Sequence, residues 1–303
     1  MRTSRPPRQA PDGGDRAGCT DEPTDRERPK PAPAWRSVHA TIVLVRLTTL
    51  GDLLLDVIVE LAEPLVPGDD QVAKTRTGAG GQAANVAAWA RDLGAEARFV
   101  GKRGADAAGE LVARELAERG VEVAGPVGGR TGVVVSLASD GDRTMASDRG
   151  AAVDLAPHDL EAAWFDCDVL HISGYALLRP PLADAATAAA SLARAHGAQV
   201  SVDVSTWTLV DDGFRARLRE LEPDLVFATE REHDTVGAFA TRWVLKRGAR
   251  GLSVDGRDHA AVAATVVDTT GAGDALAAGF LIGGAELGLA AAARCCARLG
   301  AMP

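Results

Sequence analysis

Between residues 82 and 245, short apolar runs alternate with alanine-rich stretches of helical period, and this rhythm restricts the possible folds more than any other feature. The runs are Ala97–Val100, Val169–Ile172, Val200–Val204, Leu225–Phe227 and Trp243–Leu245; the amphipathic stretches are 82–93, 105–119, 182–196 and 213–220. Short, nearly continuous apolar strands separated by helices predict a mostly parallel sheet covered on both faces. The folded part is expected to begin with a strand at Thr41-Ile42-Val43-Leu44-Val45. Residues 55–77 and 128–150 break the rhythm. They alternate like strands, carry the turn signals Pro67-Gly68-Asp69-Asp70 and Asp140-Gly141-Asp142, and contain no helical stretch. They are predicted to project from the main sheet as a small β lid over a cleft.

The 303 residues suit one large α/β domain with an appendage, or two modest domains, and the 46% apolar content can fill a sizeable core. A net charge of -9 argues against a general nucleic-acid binder. No stretch approaches eighteen uninterrupted apolar residues, so no membrane span or membrane partner is expected. Cysteines at 19, 167, 295 and 296 form no Cys-x-x-Cys pair, which fits reduced thiols in a cytoplasmic protein. Residues 1–40 are rich in proline and in charges of both signs. They cannot bury enough apolar surface to offset chain entropy and are expected to be disordered, as an interaction arm or a dispensable extension.

Two glycine-rich runs carry chemistry. Asp268-Thr-Thr-Gly-Ala-Gly-Asp274 lies between a predicted strand, Ala263–Val267, and a predicted helix. Its glycines would stand at a helix N-terminus, where unpaired N–H groups and the macrodipole favour an anion. Gly271 and Gly273 let backbone approach that anion closely. Asp274, in the first turn, could take a proton from a hydroxyl attacking a phosphoryl group, an effect of about 10²–10⁴-fold. The bland alternative is an N-cap in a tight turn. The other run is Gly78-Ala79-Gly80-Gly81-Gln82-Ala83-Ala84-Asn85. It satisfies a dinucleotide fingerprint formally, but polar Lys74–Thr77 precedes it where a buried strand is required. Close backbone approach to a polyhydroxylated ligand is the better functional reading, beside a plain glycine joint. No Gly-x-x-x-x-Gly-Lys-Ser/Thr occurs.

Together these features resemble the ribokinase-like (pfkB) carbohydrate kinases. The resemblance rests on Gly51-Asp52-Leu53-Leu54-Leu55-Asp56, on Gly80–Asn85 leading to Gly101 and Gly104-x-Asp106-x-x-Gly109, and on Asp268–Asp274. It implies a Rossmann-like αβα sandwich with a small β-sheet lid, and Mg-ATP-dependent phosphorylation of a hydroxyl on a sugar, sugar derivative or nucleoside. On it, Asp56, Gly80, Gly81 and Asn85 would hold the acceptor, and Arg149 would stand near it. Asp274 would be the base, and the Gly271, Ala272 and Gly273 amides would cradle the phosphoryl group. Thr229, Lys246, Gly248 and Gly251 would face ATP, Glu232 would organise Mg2+ through water, and Asp268 falls where some members bind K+. Lid exchange in the family suggests a homodimer.

The resemblance also exposes departures. Thr229 stands where the family has asparagine, and the segments after Glu232 and after Phe280 are short, both beside the expected adenine pocket. A catalytically weak regulator that binds sugar or nucleotide is therefore the alternative. His171, in an apolar run, is expected to be a satisfied core residue. Tyr175 and Trp207 are expected in the cleft or in packing, and Leu54 in the pocket that selects the acceptor.

Overall fold

The computed structural model describes residues 44–63, 65–139 and 142–303. The predicted disordered extension, residues 41–43 of the expected first strand, and the Asp140-Gly141 turn lie outside the described residues. The first strand, β1, is Arg46–Leu50. Leu44 and Val45 precede it without strand structure, a correction to the expected start.

In chain order there follow β2 (Leu54–Leu61), β3 (Ala73–Gly80), α1 (Gln82–Asp92), β4 (Glu96–Val100), α2 (Ala107–Glu118) and β5 (Glu122–Ala124). Next come β6 (Thr131–Ser139), β7 (Asp142–Gly150), β8 (Val169–Ser173), α3 (Leu182–Ala195), β9 (Gln199–Asp203) and α4 (Asp212–Glu220). The chain ends with β10 (Leu225–Thr229), α5 (Glu230–Val236), β11 (Arg242–Lys246), β12 (Leu252–Val254), β13 (Arg257–His259) and α6 (Ala272–Cys296).

The main sheet has the order β13-β12-β11-β10-β9-β8-β1-β4-β5, parallel from β11 to β5, with β12 and β13 antiparallel at one edge. Because strand side chains alternate in direction, each apolar strand feeds two cores. Leu47 and Phe227 point into one, with Trp89 of α1, Val112 of α2 and Phe280 of α6. Leu50 and Val226 point into the other, with Ala186 of α3 and Phe214 of α4. Residues 83–90 of α1 are buried without interruption because the helix lies between the sheet and α6. Alanine at Ala83, Ala84, Ala87, Ala88 and Ala90 permits that approach. α6 is long and apolar enough to cross a membrane. It is broken at Gly283–Gly284 and buries Leu276, Phe280 and Leu281, so it is a core element here.

The second sheet, β3-β2-β6-β7, accounts for both regions that broke the rhythm. It is rooted on α2. The Ala79 amide donates to Glu115 Oε2 at 2.9 Å. Asp106 caps α2 through the Gly109 amide at 2.9 Å while its second oxygen accepts from the Thr131 amide at 2.9 Å. The expected strand at Ala263–Val267 does not form. Residues 260–266 run beyond the edge strand β13 without a strand partner, and Val262, Val266 and Val267 stay exposed.

Candidate active site

In a parallel sheet every strand delivers its C-terminal residue to the same rim, where ligands bind in such folds. Here that rim receives Gly51-Asp52 after β1, Ser173 from β8, Asp203 from β9, Thr229 from β10 and Lys246 from β11. The N-terminus of α6 opens onto it. Gly271, the residue before the helix, has the left-handed conformation φ 77°, and no side chain caps the first turn. The Ala272 amide donates to the Thr269 carbonyl at 3.2 Å, while the Gly271 and Gly273 amides enter no hydrogen bond among the described residues and remain available to an outside acceptor. A Cβ built on Gly273 would stand 3.6 Å from Lys246 Nζ, so the ammonium lies against this turn.

Asp274, in that first turn, accepts a hydrogen bond from Asn85 Nδ2 at 2.7 Å. Burial pushes its carboxyl up to about 7. Asn85 and Lys246 pull it back, while Asp203 and Asp52 push it further. A carboxyl poised there can exchange a proton near neutral pH. Lys246 Nζ contacts Asp203 Oδ1 at 2.8 Å and Oδ2 at 2.6 Å, in a pair almost wholly removed from water. Burial disfavours its charge, but Asp203, Glu232 and Asp274 outweigh that and hold its pKa above the ordinary lysine value. It remains a cation beside the helix turn.

On the acceptor side, Gly80 and Gly81 are glycines for a steric reason. A Cβ on Gly80 would collide with the Asp56 carboxylate, and one on Gly81 with the Asp52 carbonyl. Asp56 and Asn85 thereby reach the rim from the lid strand β2 and from α1. Asn85 Oδ1 and Asp52 Oδ1 are buried without a hydrogen-bond partner among the described residues. Buried acceptors of this kind are rare and costly unless a ligand or water completes them; hydroxyl donors of a polyol fit both. Arg149, at the end of β7, pairs through Nη1 with Asp52 Oδ2 and lies 3.4 Å from the ring centroid of Tyr175. Leu54, expected in the pocket, is fully buried instead. Its side chain packs close to Gly132 at the root of the lid.

On the nucleotide side the structure brings fewer groups together. Thr229 and Glu232 form a reciprocal cap on α5: the Glu232 amide donates to Thr229 Oγ1 at 3.2 Å, and the Thr229 amide donates to Glu232 Oε2 at 2.7 Å. Gly248 (φ 56°) and Gly251 (φ 91°) shape a tight turn between β11 and β12. Asp268 uses both oxygens on backbone, accepting from the Thr270 amide at 2.9 Å and the Gly300 amide at 3.0 Å. No three His, Cys, Asp or Glu side chains cluster as a metal cage among the described residues. The donor set suits Mg2+ carried mainly by water and phosphate oxygens, with one carboxylate nearby.

Sequence reasoning assigned no role to Asp203, Gln82 or Asp52. Gln82 Oε1 accepts from Ser173 Oγ at 2.6 Å and Ser205 Oγ at 2.5 Å, tying α1 to the ends of β8 and β9. The signal for Asp203 was present: an acid closing the apolar run Val200–Val204 must sit at a strand's polar end. Trp207 and His171 lie in packing and in the core as expected, but His171 is only half satisfied among the described residues. Trp207 stacks on Arg231 at 3.4 Å. His171 has Nδ1 2.9 Å from Ser201 Oγ but Nε2 without a partner among the described residues, and burial lowers its pKa to about 4.

A model of the pfkB family carbohydrate kinases matches residues 46–302. The chain is 31% identical over 258 residues to an ATP-dependent ribose-1-phosphate kinase of Halopiger xanaduensis, covering 78% of this chain and 84% of that protein. It is 28% identical over 240 residues to a 5-dehydro-2-deoxygluconokinase of Geobacillus kaustophilus, covering 67% and 72%. The crystal structure of adenosine kinase from Sinorhizobium meliloti superposes with a TM-score of 0.75 at 27% identity, covering 86% of this chain and 96% of that one.

Proposed function

The chain belongs to the pfkB family of carbohydrate kinases, and from that premise we propose that it phosphorylates a hydroxyl of a sugar, sugar derivative or nucleoside with ATP, using Asp274 as the general base. The observation that carries this reading is the 2.7 Å hydrogen bond from Asn85 to Asp274. It joins the acceptor loop to a carboxyl of raised pKa at the uncapped N-terminus of α6.

Asp56, Asn85 and the Gly80–Gly81 backbone hold the acceptor with one hydroxyl toward Asp274. As that oxygen attacks the γ-phosphorus, a new P–O bond forms and the bond to the β,γ-bridging oxygen breaks. The hydroxyl proton passes to Asp274, and ADP leaves. The Gly271 and Gly273 amides and the Lys246 ammonium stabilise negative charge on the transferring group, and the Ala272 amide, turned to the Thr269 carbonyl, shapes the turn between them. Asp203 keeps Lys246 charged and aimed. Thr229, Gly248 and Gly251 border the nucleotide. Mg2+, with Glu232 nearby, would neutralise charge on the β- and γ-phosphates when bound. No step here uses K+ at Asp268. The setting for this chemistry is the cytoplasm.

The test is Asp274→Asn. Turnover should fall by about 10²–10⁴-fold, while circular dichroism and ATP binding by calorimetry stay near wild type. Activity within a few-fold of wild type would refute the mechanism. One observation favours the rival reading of a binding-only regulator: residues 260–266 are unpaired and expose Val262 and Val266 beside the shortened nucleotide side. Absence of ATP binding by the folded wild-type protein would favour that rival.

A further inference from the structure

A solvent-open cleft of about 390 Å³ adjoins the acceptor site through Arg149, and its lining is unusual for a protein of net charge -9. Arg130, Arg149 and Arg179 line it, together with Asp148 and Asp154. The three arginines differ in how they are held. Arg149 is the rigid one: Asp52 binds its Nη1, the Tyr175 ring covers one face, and its side chain is 16% exposed. An arginine has five N–H donors, so others remain for a ligand. Arg130 pairs with Asp148 at 2.6 Å, but both side chains are well exposed. An exposed pair of this kind contributes little and exchanges readily for another anion. The Arg179 side chain is exposed and enters no hydrogen bond or ion pair among the described residues.

Arg149 also connects this cleft to the acceptor site. Its partner Asp52 lies directly beneath Gly81, whose missing Cβ lets the acceptor loop rest on the Asp52 carbonyl. An acceptor seated on Asp56, Gly80–Gly81 and Asn85 therefore has Arg149 beside it, and the cleft opens on the other side of that arginine. The cleft wall there is fixed by backbone: the Ala151 amide donates to the Arg130 carbonyl at 2.8 Å, holding the ends of β6 and β7 together. Planar, fork-shaped donors converging on one opening suit the oxygens of a phosphate or carboxylate. They are poorly matched to a nucleobase or to a neutral polyol alone.

We propose that the acceptor carries an anionic group, phosphate or carboxylate, which binds in the cleft between Arg130, Arg149 and Arg179 while its hydroxyl faces Asp274. The proposal rests on the kinase reading and narrows it to sugar phosphates and sugar acids.

The experiment measures ADP release and calorimetric binding with ribose 1-phosphate, gluconate, ribose and adenosine, for the wild type and for Arg179→Glu. Ribose 1-phosphate and gluconate report the phosphate and carboxylate forms of the same chemistry. For the wild type, at least one of them should exceed both neutral compounds in kcat/KM by 100-fold or more. In Arg179→Glu that preference should fall at least 10-fold, through KM rather than kcat, with the far-ultraviolet dichroism unchanged. Preference for ribose or adenosine overturns the anionic subsite and leaves the kinase reading standing. So does an anionic preference that Arg179→Glu leaves unaltered. If no acceptor is turned over, the kinase reading fails on its own measurement. Binding still decides the cleft: tighter binding of an anionic compound than of ribose, weakened by Arg179→Glu, supports it, and equal or weaker binding overturns it.

Discussion

Asp274 combines two properties that oppose each other in an ordinary carboxylate: it is partly buried beside other acids, and it is the group asked to take a proton. Burial raises its pKa to about 7, so its charged form is scarce below neutrality. In the free enzyme kcat/KM should therefore fall about tenfold per pH unit below 7 and level off above it. Stability runs the opposite way. The folded state keeps the proton up to about pH 7, whereas an unfolded aspartic acid releases it near 4. Folded protein thus binds more protons between those values, and this contribution to stability is full below pH 4 and lost as pH rises through 7. Thermal melts of wild type and Asp274→Asn should diverge from pH 4 upward, the variant being the more stable above 7. A wild-type kcat/KM that is flat from pH 5 to 8 would show that Asp274 is not the titrating base.

The same local chemistry depends on one element boundary, the start of α6. Gly271 turns the chain into the helix at φ 77°, and a Cβ there would strike Ala301 of the C-terminal turn. Gly284, at φ 79° in the break of the same helix, has nothing within 4 Å of a built Cβ. The two positions separate backbone strain from collision. Gly284→Ala, at φ 79° and ψ −163° in a region nearly confined to glycine, should cost about 1–3 kcal/mol. Gly271→Ala should cost clearly more and should also lower kcat, because it displaces the amides beside Gly273. Urea denaturation and steady-state kinetics on the pair check this; equal effects would mean that the turn is not held from behind.

At the scale of the molecule, the site is supported by contacts between distant parts of the chain. Trp89 of α1, fully buried, donates its indole N–H to the Ala301 carbonyl at 2.8 Å. Gly300 binds Asp268, and Met302 joins the core under α1 and α6. The C-terminal turn is thus clamped beneath the Gly271–Gly273 turn at the start of α6. Trp89→Phe leaves the Ala301 carbonyl only the long Cys295 thiol contact at 3.8 Å and loses ring volume, at about 1–3 kcal/mol. At about 2–4 °C per kcal/mol for a domain approaching this size, the melting temperature should drop by several degrees, and kcat should fall with it. A melting temperature and kcat at wild-type values would show that this clamp is idle.

The sequence by itself determined the parallel sheet, the small second sheet and the run that holds Asp274, because each has a local signature: apolar runs of strand length, two-residue alternation, and glycines between a pair of acids. The resemblance to the family, rather than spacing, proposed Asp56, Gly80, Gly81 and Asn85 as the acceptor side. It erred at Ala263–Val267, where apolar composition suggested a strand but no neighbouring strand is there to pair with. It placed Thr229 and Glu232 at the nucleotide without anticipating that they cap α5 reciprocally. What only the tertiary structure decided were the pairings between residues far apart in the chain: Asp203 with Lys246, Asp52 with Arg149, Asn85 with Asp274, and Trp89 with Ala301. Local sequence sets backbone preference and burial period. Which acid meets which base depends on strand order and on the packing of helices over the sheet, and that order arises only when the whole chain is folded.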